Sequence, residues 1–213
     1  MWAACKPSER VDASQQASSP DKHKSLVVQT TNRISLAQSL TGLFSEQLLV
    51  GVRQTAVPYR DVVPRVHLGF EASATVAFEM RPKDDFSRSP DQCLNMVVLD
   101  YHGPSRWLTI GAALSWAELS GAEHYQIGLY GRTNRLLHCR VMLRVTRGNG
   151  ATEDSCLCNL VLSPEERSVH GHGQFKRPEP NTLDQSGQPR VLFCFDANTD
   201  LHLELDYLTA YFA

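Results

Sequence analysis

From residue 65 onward, apolar and polar side chains alternate in short runs. In His67-Leu68-Gly69-Phe70-Glu71-Ala72-Ser73-Ala74-Thr75-Val76-Ala77-Phe78-Glu79-Met80, Leu68 and Phe70, then Val76, Phe78 and Met80, fall on one side of an extended chain, because successive side chains of a strand point to opposite faces. A strand or a bent pair of strands is predicted there. The same alternation recurs at Cys93 to Tyr101, Arg106 to Leu114, His124 to Gly131, Leu137 to Thr146, Ser155 to Leu162, Val169 to Phe175, Arg190 to Phe195 and Leu201 to Tyr211. Turn-forming residues such as His102-Gly103-Pro104, Gly148-Asn149-Gly150 and Ala197-Asn198-Thr199-Asp200 separate the runs. About nine or ten short strands at this spacing predict an all-β fold, an antiparallel β-sandwich or jelly roll. Its two sheets would bury Ile127 with Leu129, Val141 with Leu143 and Val145, and Leu201 with Leu203, Leu205 and Tyr207.

The chain ahead of these runs has a different pattern. Residues Lys6 to Lys24 carry Ser, Gln, Pro, Asp and Lys with almost no large apolar side chains, so they cannot offset the entropy of ordering. Between Ile34 and Leu49, apolar residues at Ile34, Leu36, Ala37, Leu40, Leu43, Phe44 and Leu48 recur largely at steps of three and four, as one face of a short helix does, although Gly42 weakens it. The expected organisation is a disordered tail over 1–25, a helical or extended arm over 26–64 and a β-sandwich domain over 65–213. One short helical connection is expected after Trp116, through Ala117-Glu118-Leu119-Ser120-Gly121.

Composition narrows the class. The 213 residues include 21 Lys and Arg against 23 Asp and Glu, a net charge of -2, and 42% are hydrophobic: a soluble globular chain. At this size about 70% of the unfolded surface is buried, enough for a core without disulfide or metal staples. Counterion release onto nucleic acid needs clustered cations, so no nucleic-acid partner is expected. No apolar run approaches the ~20 residues of a membrane span. The six cysteines, Cys5, Cys93, Cys139, Cys156, Cys158 and Cys194, are too sparse for a disulfide scaffold. Most lie in apolar runs, as buried reduced thiols do, which favours synthesis in a reducing cytoplasm. Ala3-Ala4-Cys5 resembles the end of a lipoprotein signal, but only four residues precede the cysteine, and a tail thiol is the expectation.

The last run, Leu203-Glu204-Leu205-Asp206-Tyr207-Leu208, resembles the closing strand of galactose-binding-like β-jelly rolls, the fold of many carbohydrate-binding modules. That resemblance implies a sugar-binding module and, in several such modules, a structural Ca2+ remote from the sugar. Residue by residue it implies Asp206 as the closing ligand and Glu71 as an early-strand partner. The usual paired early acids are absent, and with only two carboxylates to name where a hard cation takes six or more oxygens, Asp206 reads more readily as an outward polar residue on an edge strand.

A sugar site needs an aromatic platform and planar polar groups that reach hydroxyls. Tyr130-Gly131-Arg132-Thr133-Asn134-Arg135 supplies both, so Tyr130, Arg132 and Asn134 are the primary candidates, with Trp107 as a second platform. Tyr101 with His102, and Trp116, are further candidates. Trp107 and Trp116 also sit beside alternating apolar residues, as core residues do. Cys156-Leu157-Cys158 and His170-Gly171-His172 are centred on one point. If Ser163-Pro164-Glu165-Glu166 turns a hairpin, Cys156, Cys158, His170 and His172 face one another as a tetrahedral zinc set; otherwise they are buried thiols and loop histidines.

No Gly-x-Ser-x-Gly or His-Glu-x-x-His motif is present, and no pair of carboxylates stands out as the two a glycosidase needs. The leading expectation is non-catalytic carbohydrate binding to a polysaccharide or glycan. The alternative is a structural β-sandwich, an assembly component of a surface or phage-like particle, whose arm packs against a protein partner or a second copy. A glycoside-active hydrolase is the third.

Overall fold

The computed structural model describes residues 48, 50–82, 95–104, 107–165, 168–178, 183–184, 186–197 and 200–213. The tail expected over 1–25 lies outside these residues, as does the helix expected over 34–49 apart from Leu48. The described residues form two six-stranded sheets. The front sheet holds, in spatial order, β1 (Gln54–Thr55), β4 (Thr75–Pro82), β5 (Asn95–His102), β12 (Leu201–Phe212), β7 (His124–Thr133) and β10 (Ser168–Gln174). The back sheet holds β2 (Asp61–Val63), β3 (Val66–Gly69), β6 (Trp107–Ala113), β11 (Arg190–Asp196), β8 (Leu137–Thr146) and β9 (Thr152–Leu162). Every strand pairing is antiparallel, and one helical turn, α1 (Trp116–Leu119), lies between β6 and β7. This is the all-β antiparallel sandwich that the alternation predicts. No helix among the described residues is long and apolar enough to cross a membrane.

The strand-bearing part begins earlier than residue 65. Gln54 pairs with Phe78 and Asp61 with His67, so β1 and β2 each add an edge to a sheet. The bent strand expected over 67–80 is divided between the sheets: β3 ends at Gly69, the chain turns where Ala74 N–H donates to Glu71 C=O at 2.9 Å, and β4 begins at Thr75.

Alternation decides what fills the layer between the sheets. On β8 the odd positions Leu137, Cys139, Val141, Leu143 and Val145 are buried, and on β7 Ile127 and Leu129 face them from the other side. Each fully buried aliphatic side chain contributes roughly 1.5–3 kcal/mol. Tyr101, a candidate for the sugar surface, is wholly buried in this layer. Trp116 packs against the core and donates its indole N–H to Gly187 C=O at 2.9 Å.

Strand β12 departs from expectation at one point, and the departure matters most. Leu201, Leu203 and Leu205 are buried, but the next buried residues are Leu208 and Ala210. The register against β7 shifts between Leu205, paired with Gly131, and Tyr207, paired with Tyr130. Asp206 is therefore the extra residue of a β-bulge. It inverts the phase of the strand, so Tyr207 does not join Leu205 in the core and turns outward instead. Gly131 is required opposite the bulge, because a Cβ there would lie 2.1 Å from the Glu204 carbonyl oxygen.

Gly131→Ala is expected to lower stability by about 1–3 kcal/mol through this clash. Gly148→Ala, where a Cβ meets nothing within 4 Å, should change it by less than about 0.5 kcal/mol. Urea unfolding of both variants beside the parent checks the contrast.

Candidate functional site

The outward positions of the front sheet gather Tyr130, Arg132 and Asn134 with several residues that the sequence did not assign to a sugar surface. Tyr130 on β7 and Tyr207 on β12 are directly paired, and their rings stack with centroids 5.5 Å apart at 11°. One step along, Thr209, Gly128 and His170 form the next cross-strand row, followed by Tyr211, Gln126 and His172. Gly128 makes the floor: a Cβ on it would stand 2.8 Å from Thr209 Oγ1, 3.2 Å from Tyr207 Cε2 and 3.3 Å from His170 Nδ1. Ser168 Oγ and His170 Nε2 are 2.9 Å apart at its margin.

On the other side of the bulge the same face becomes charged. Glu204 pairs with Arg132 across β12 and β7, with Arg132 Nη1 and Glu204 Oε2 at 4.0 Å. In the next row His202 Nδ1 lies 2.6 Å from Asp100 Oδ1, and Arg53 Nη1 donates to Asp100 Oδ2 at 2.7 Å. His202 Nε2 also approaches Glu204 Oε1 at 3.5 Å. Asn134 closes the row: its side-chain oxygen accepts from His202 N–H at 3.3 Å, and its own N–H donates to His202 C=O at 3.4 Å. An aromatic floor thus adjoins a ladder of guanidinium, carboxylate, imidazole and amide groups on one open sheet surface. Burial works against the Asp100 charge, but the hydrogen bonds from His202 and Arg53 outweigh it and hold the carboxyl below its ordinary range.

Tyr130, Arg132 and Asn134 are therefore brought together. Trp107 is not with them. It lies on the outer surface of the back sheet, beside Tyr59 and over Gly69, with the Tyr59 and Trp107 centroids 6.0 Å apart. Tyr207, Tyr211, His170, His202, Glu204 and Asp100 complete the face although sequence reasoning did not assign them to it. A signal for Tyr207 was present: apolar residues at 201, 203 and 205 followed by 208 and 210 mark a slip of phase, as a bulge does.

The tetrahedral set is not assembled. β9 lies in the back sheet and β10 in the front, so the two strands are not the paired arms of a hairpin. A register shift opposite Val141 and Met142 leaves Leu157 extra, so Cys156 pairs with outward-facing Met142 while Cys158 pairs with inward-facing Val141. Gly171, and neither histidine, faces Cys158: a Cβ on it would lie 2.6 Å from Sγ. His170 and His172 are exposed on the front face, and Cys156 is exposed where a buried thiol was expected. The Cys158 thiol is pushed up to about 11 by burial and by Cys156, which favours the protonated form over a ligating thiolate.

The carboxylates of the closing pattern are also apart. Asp206 adjoins Leu205, which is level with Val97 of β5. Glu71 belongs to the turn that brings Ala74 against Gly103, beyond His102 at the far end of that strand. Roughly 17 Å along the strand direction separates the two levels at ~3.4 Å per residue, so Glu71 and Asp206 cannot share a calcium ion. Among the described residues no three His, Cys, Asp or Glu side chains come together as a metal site.

Because its folded-state pKa is depressed, Asp100 contributes stability above the pKa of the unfolded carboxyl, and that contribution is lost as pH falls through the folded value. Asp100→Asn should be less stable than the parent at pH 7, and the difference should shrink as pH drops below about 4. Thermal unfolding midpoints of both proteins across pH 3 to 7, as a rough range, check it.

No protein-family model and no curated protein matches the chain. Among solved structures, it is similar to the C-terminal family 22 carbohydrate-binding module of Clostridium thermocellum Xyn10B, at 12% identity and a TM-score of 0.45, covering 75% of this chain and 93% of that one. It is also similar to the CBM22-1 xylan-binding domain of Paenibacillus barcinonensis Xyn10C, at 12% identity and a TM-score of 0.45, covering 76% and 96%. A third likeness is to the enzymatically active domain of bacteriophage CBA120 tailspike protein 4, at 9% identity and a TM-score of 0.45, covering 85% and 21%.

Proposed function

We propose that the chain is a non-catalytic carbohydrate-binding module whose front sheet surface holds a polysaccharide. The observation that carries this reading is the stacked Tyr130–Tyr207 pair on an open sheet face, continuous with the Arg132, Glu204, His202 and Asp100 ladder. A pyranose offers an apolar face bounded by hydroxyls. Tyrosine rings cover that face, while planar guanidinium and carboxylate groups make paired hydrogen bonds to neighbouring hydroxyls. Tyr211 and His172 extend the floor along the strands beyond a single ring, which suits a polymer more than a monosaccharide.

The electrostatics favour binding over hydrolysis. A glycosidase acid needs a carboxyl whose pKa is raised so that it carries a proton near neutrality. Asp100 is shifted the opposite way by His202 and Arg53, and Glu204 is engaged with Arg132 and His202. These carboxylates orient the ladder and accept hydrogen bonds.

Affinity electrophoresis against soluble polysaccharides, xylan among them, tests the reading. The parent should be retarded by at least one polymer, and Tyr130→Ala and Tyr207→Ala should each weaken that binding about tenfold or more, the equivalent of ~1.4 kcal/mol. Trp107→Ala, on the opposite surface, should retain it. Folded tyrosine variants that bind as well as the parent, or a parent retarded by no polymer, would overturn the assignment.

A further inference from the structure

Five of the eight histidines in the chain stand on outward positions of the front sheet. His102 and His202 belong to its polar half, and His124, His170 and His172 to its tyrosine half. Imidazole side chains take up a proton between about pH 8 and pH 5, so the charge of this face depends on pH more than that of any surface built from Arg and Asp alone.

The two halves differ in what surrounds the rings. In the polar half each histidine has a carboxylate: His202 Nδ1 is 2.6 Å from Asp100 Oδ1, and His102 Nδ1 is 3.3 Å from Asp200 Oδ2. Glu204 approaches His202 at 3.5 Å, while Arg53 and Arg132 are engaged with Asp100 and Glu204. Glu79, ion-paired with Arg81, stands in the same cross-strand row as Glu204. A proton taken up by these histidines neutralises a carboxylate and presents little net positive charge.

The tyrosine half has no such compensation. Its three rows are Ser168, Tyr130 and Tyr207, then His170, Gly128 and Thr209, then His172, Gln126 and Tyr211, and no carboxylate is among these outward positions. The hydrogen bond of His170 is with a neutral hydroxyl, Ser168 Oγ at 2.9 Å. Charged side chains come at the margins: Asp206 at the bulge, Glu123 beside His124 ahead of β7, Glu165 ahead of β10, and Lys176 and Arg177 beyond it. Behind β10, Cys158 and Leu160 stand against Gly171 and Tyr125 against Gly173. Burial raises the pKa of both the Cys158 thiol and the Tyr125 hydroxyl, so neither brings a charge at neutral pH. Geometry joins the imidazoles to the aromatic floor. A Cβ on Gly128 would stand 3.2 Å from Tyr207 Cε2 and 3.3 Å from His170 Nδ1, so the two rings flank one bare point of backbone. His172 follows roughly 7 Å further along β10, at ~3.4 Å per residue.

We infer that this half of the front face takes a second class of ligand, an acidic polysaccharide, whose rings stack on Tyr130 and Tyr207 while its carboxylates accept hydrogen bonds from protonated His170 and His172, an assignment that rests on the front-face reading. A neutral polymer such as xylan offers an imidazolium no charge to pair with, whereas a carboxylate gains a charge-assisted hydrogen bond from each. With the imidazoles neutral, the net charge of -2 repels a polyanion. Binding of the acidic polymer therefore strengthens as pH falls, until its own carboxylates protonate below about pH 4.

Titration of the full chain with polygalacturonate and, separately, with neutral xylan at about pH 5.5 and about pH 7.5 tests this. Polygalacturonate should bind at least about tenfold more tightly at the lower pH, and added salt should weaken it there, while xylan affinity should change less than about twofold. The double variant His170→Gln, His172→Gln should bring the ratio of polygalacturonate affinities at the two pH values close to one. Tyr130→Ala should weaken polygalacturonate binding at the lower pH, which separates a stacked sugar from a general gain of positive charge. A parent that binds polygalacturonate no better at the lower pH, a pH ratio that survives in the double variant, or acid-side binding indifferent to Tyr130→Ala overturns the inference. Xylan bound through Tyr130 at both pH values, with no pH ratio for polygalacturonate, removes the acidic ligand and leaves the front-face reading standing. If neither polymer responds to Tyr130→Ala, both fall.

Discussion

Strand β12 pairs with β5 on one side and β7 on the other along much of its length, so every second residue must fill the layer between the sheets while the rest face solvent. Both demands are met only because the strand slips by one residue at Asp206. Before the slip, Leu201, Leu203 and Leu205 enter the core; after it, Leu208 and Ala210 do. The positions turned outward are then Glu204 on one side and Tyr207 on the other, and these are the residues that meet Arg132 and Tyr130. Core and front surface depend on the same irregularity. Gly131 permits it, since its bare backbone is all that fits against the Glu204 carbonyl.

The polar half of the front face is a connected set. Asp100 takes hydrogen bonds from Arg53 and His202, His202 reaches toward Glu204, and Glu204 toward Arg132. These groups come from the segment before β1 and from β5, β12 and β7, so no stretch of sequence contains the arrangement. Pairs of this kind, with half-buried carboxylates and exposed guanidiniums, contribute little to stability individually, commonly about 1 kcal/mol or less where water reaches them. Their stronger effect is on geometry, because each side chain limits the rotamers of the next and holds the ladder beside the tyrosine floor.

Local reading of the chain went furthest where a single sheet face decided the outcome. The alternation at Leu137 to Thr146 placed Val141, Leu143 and Val145 inside, as observed, because nothing interrupts the period of two on the inward side of β8. It failed at Tyr207 and at Cys156-Leu157-Cys158, where a bulge inverts the phase. It also failed for Tyr101, whose aromatic character is the same in a core as on a surface. The pairing of His170 and His172 with the cysteines rested on chain symmetry, which is blind to whether a connection stays in one sheet or passes to the other.

The sequence by itself determined the all-β class, most strand positions, the buried faces of β7 and β8, and the cluster of Tyr130, Arg132 and Asn134, since all of these follow from side-chain period and short-range turn chemistry. Only the tertiary structure decided that Trp107 and Tyr130 lie on opposite outer surfaces and that Glu71 stands far from Asp206. It also decided that Tyr207 completes the front face. Those outcomes depend on which strands become neighbours and in what register, and register is set by contacts between residues distant in the chain.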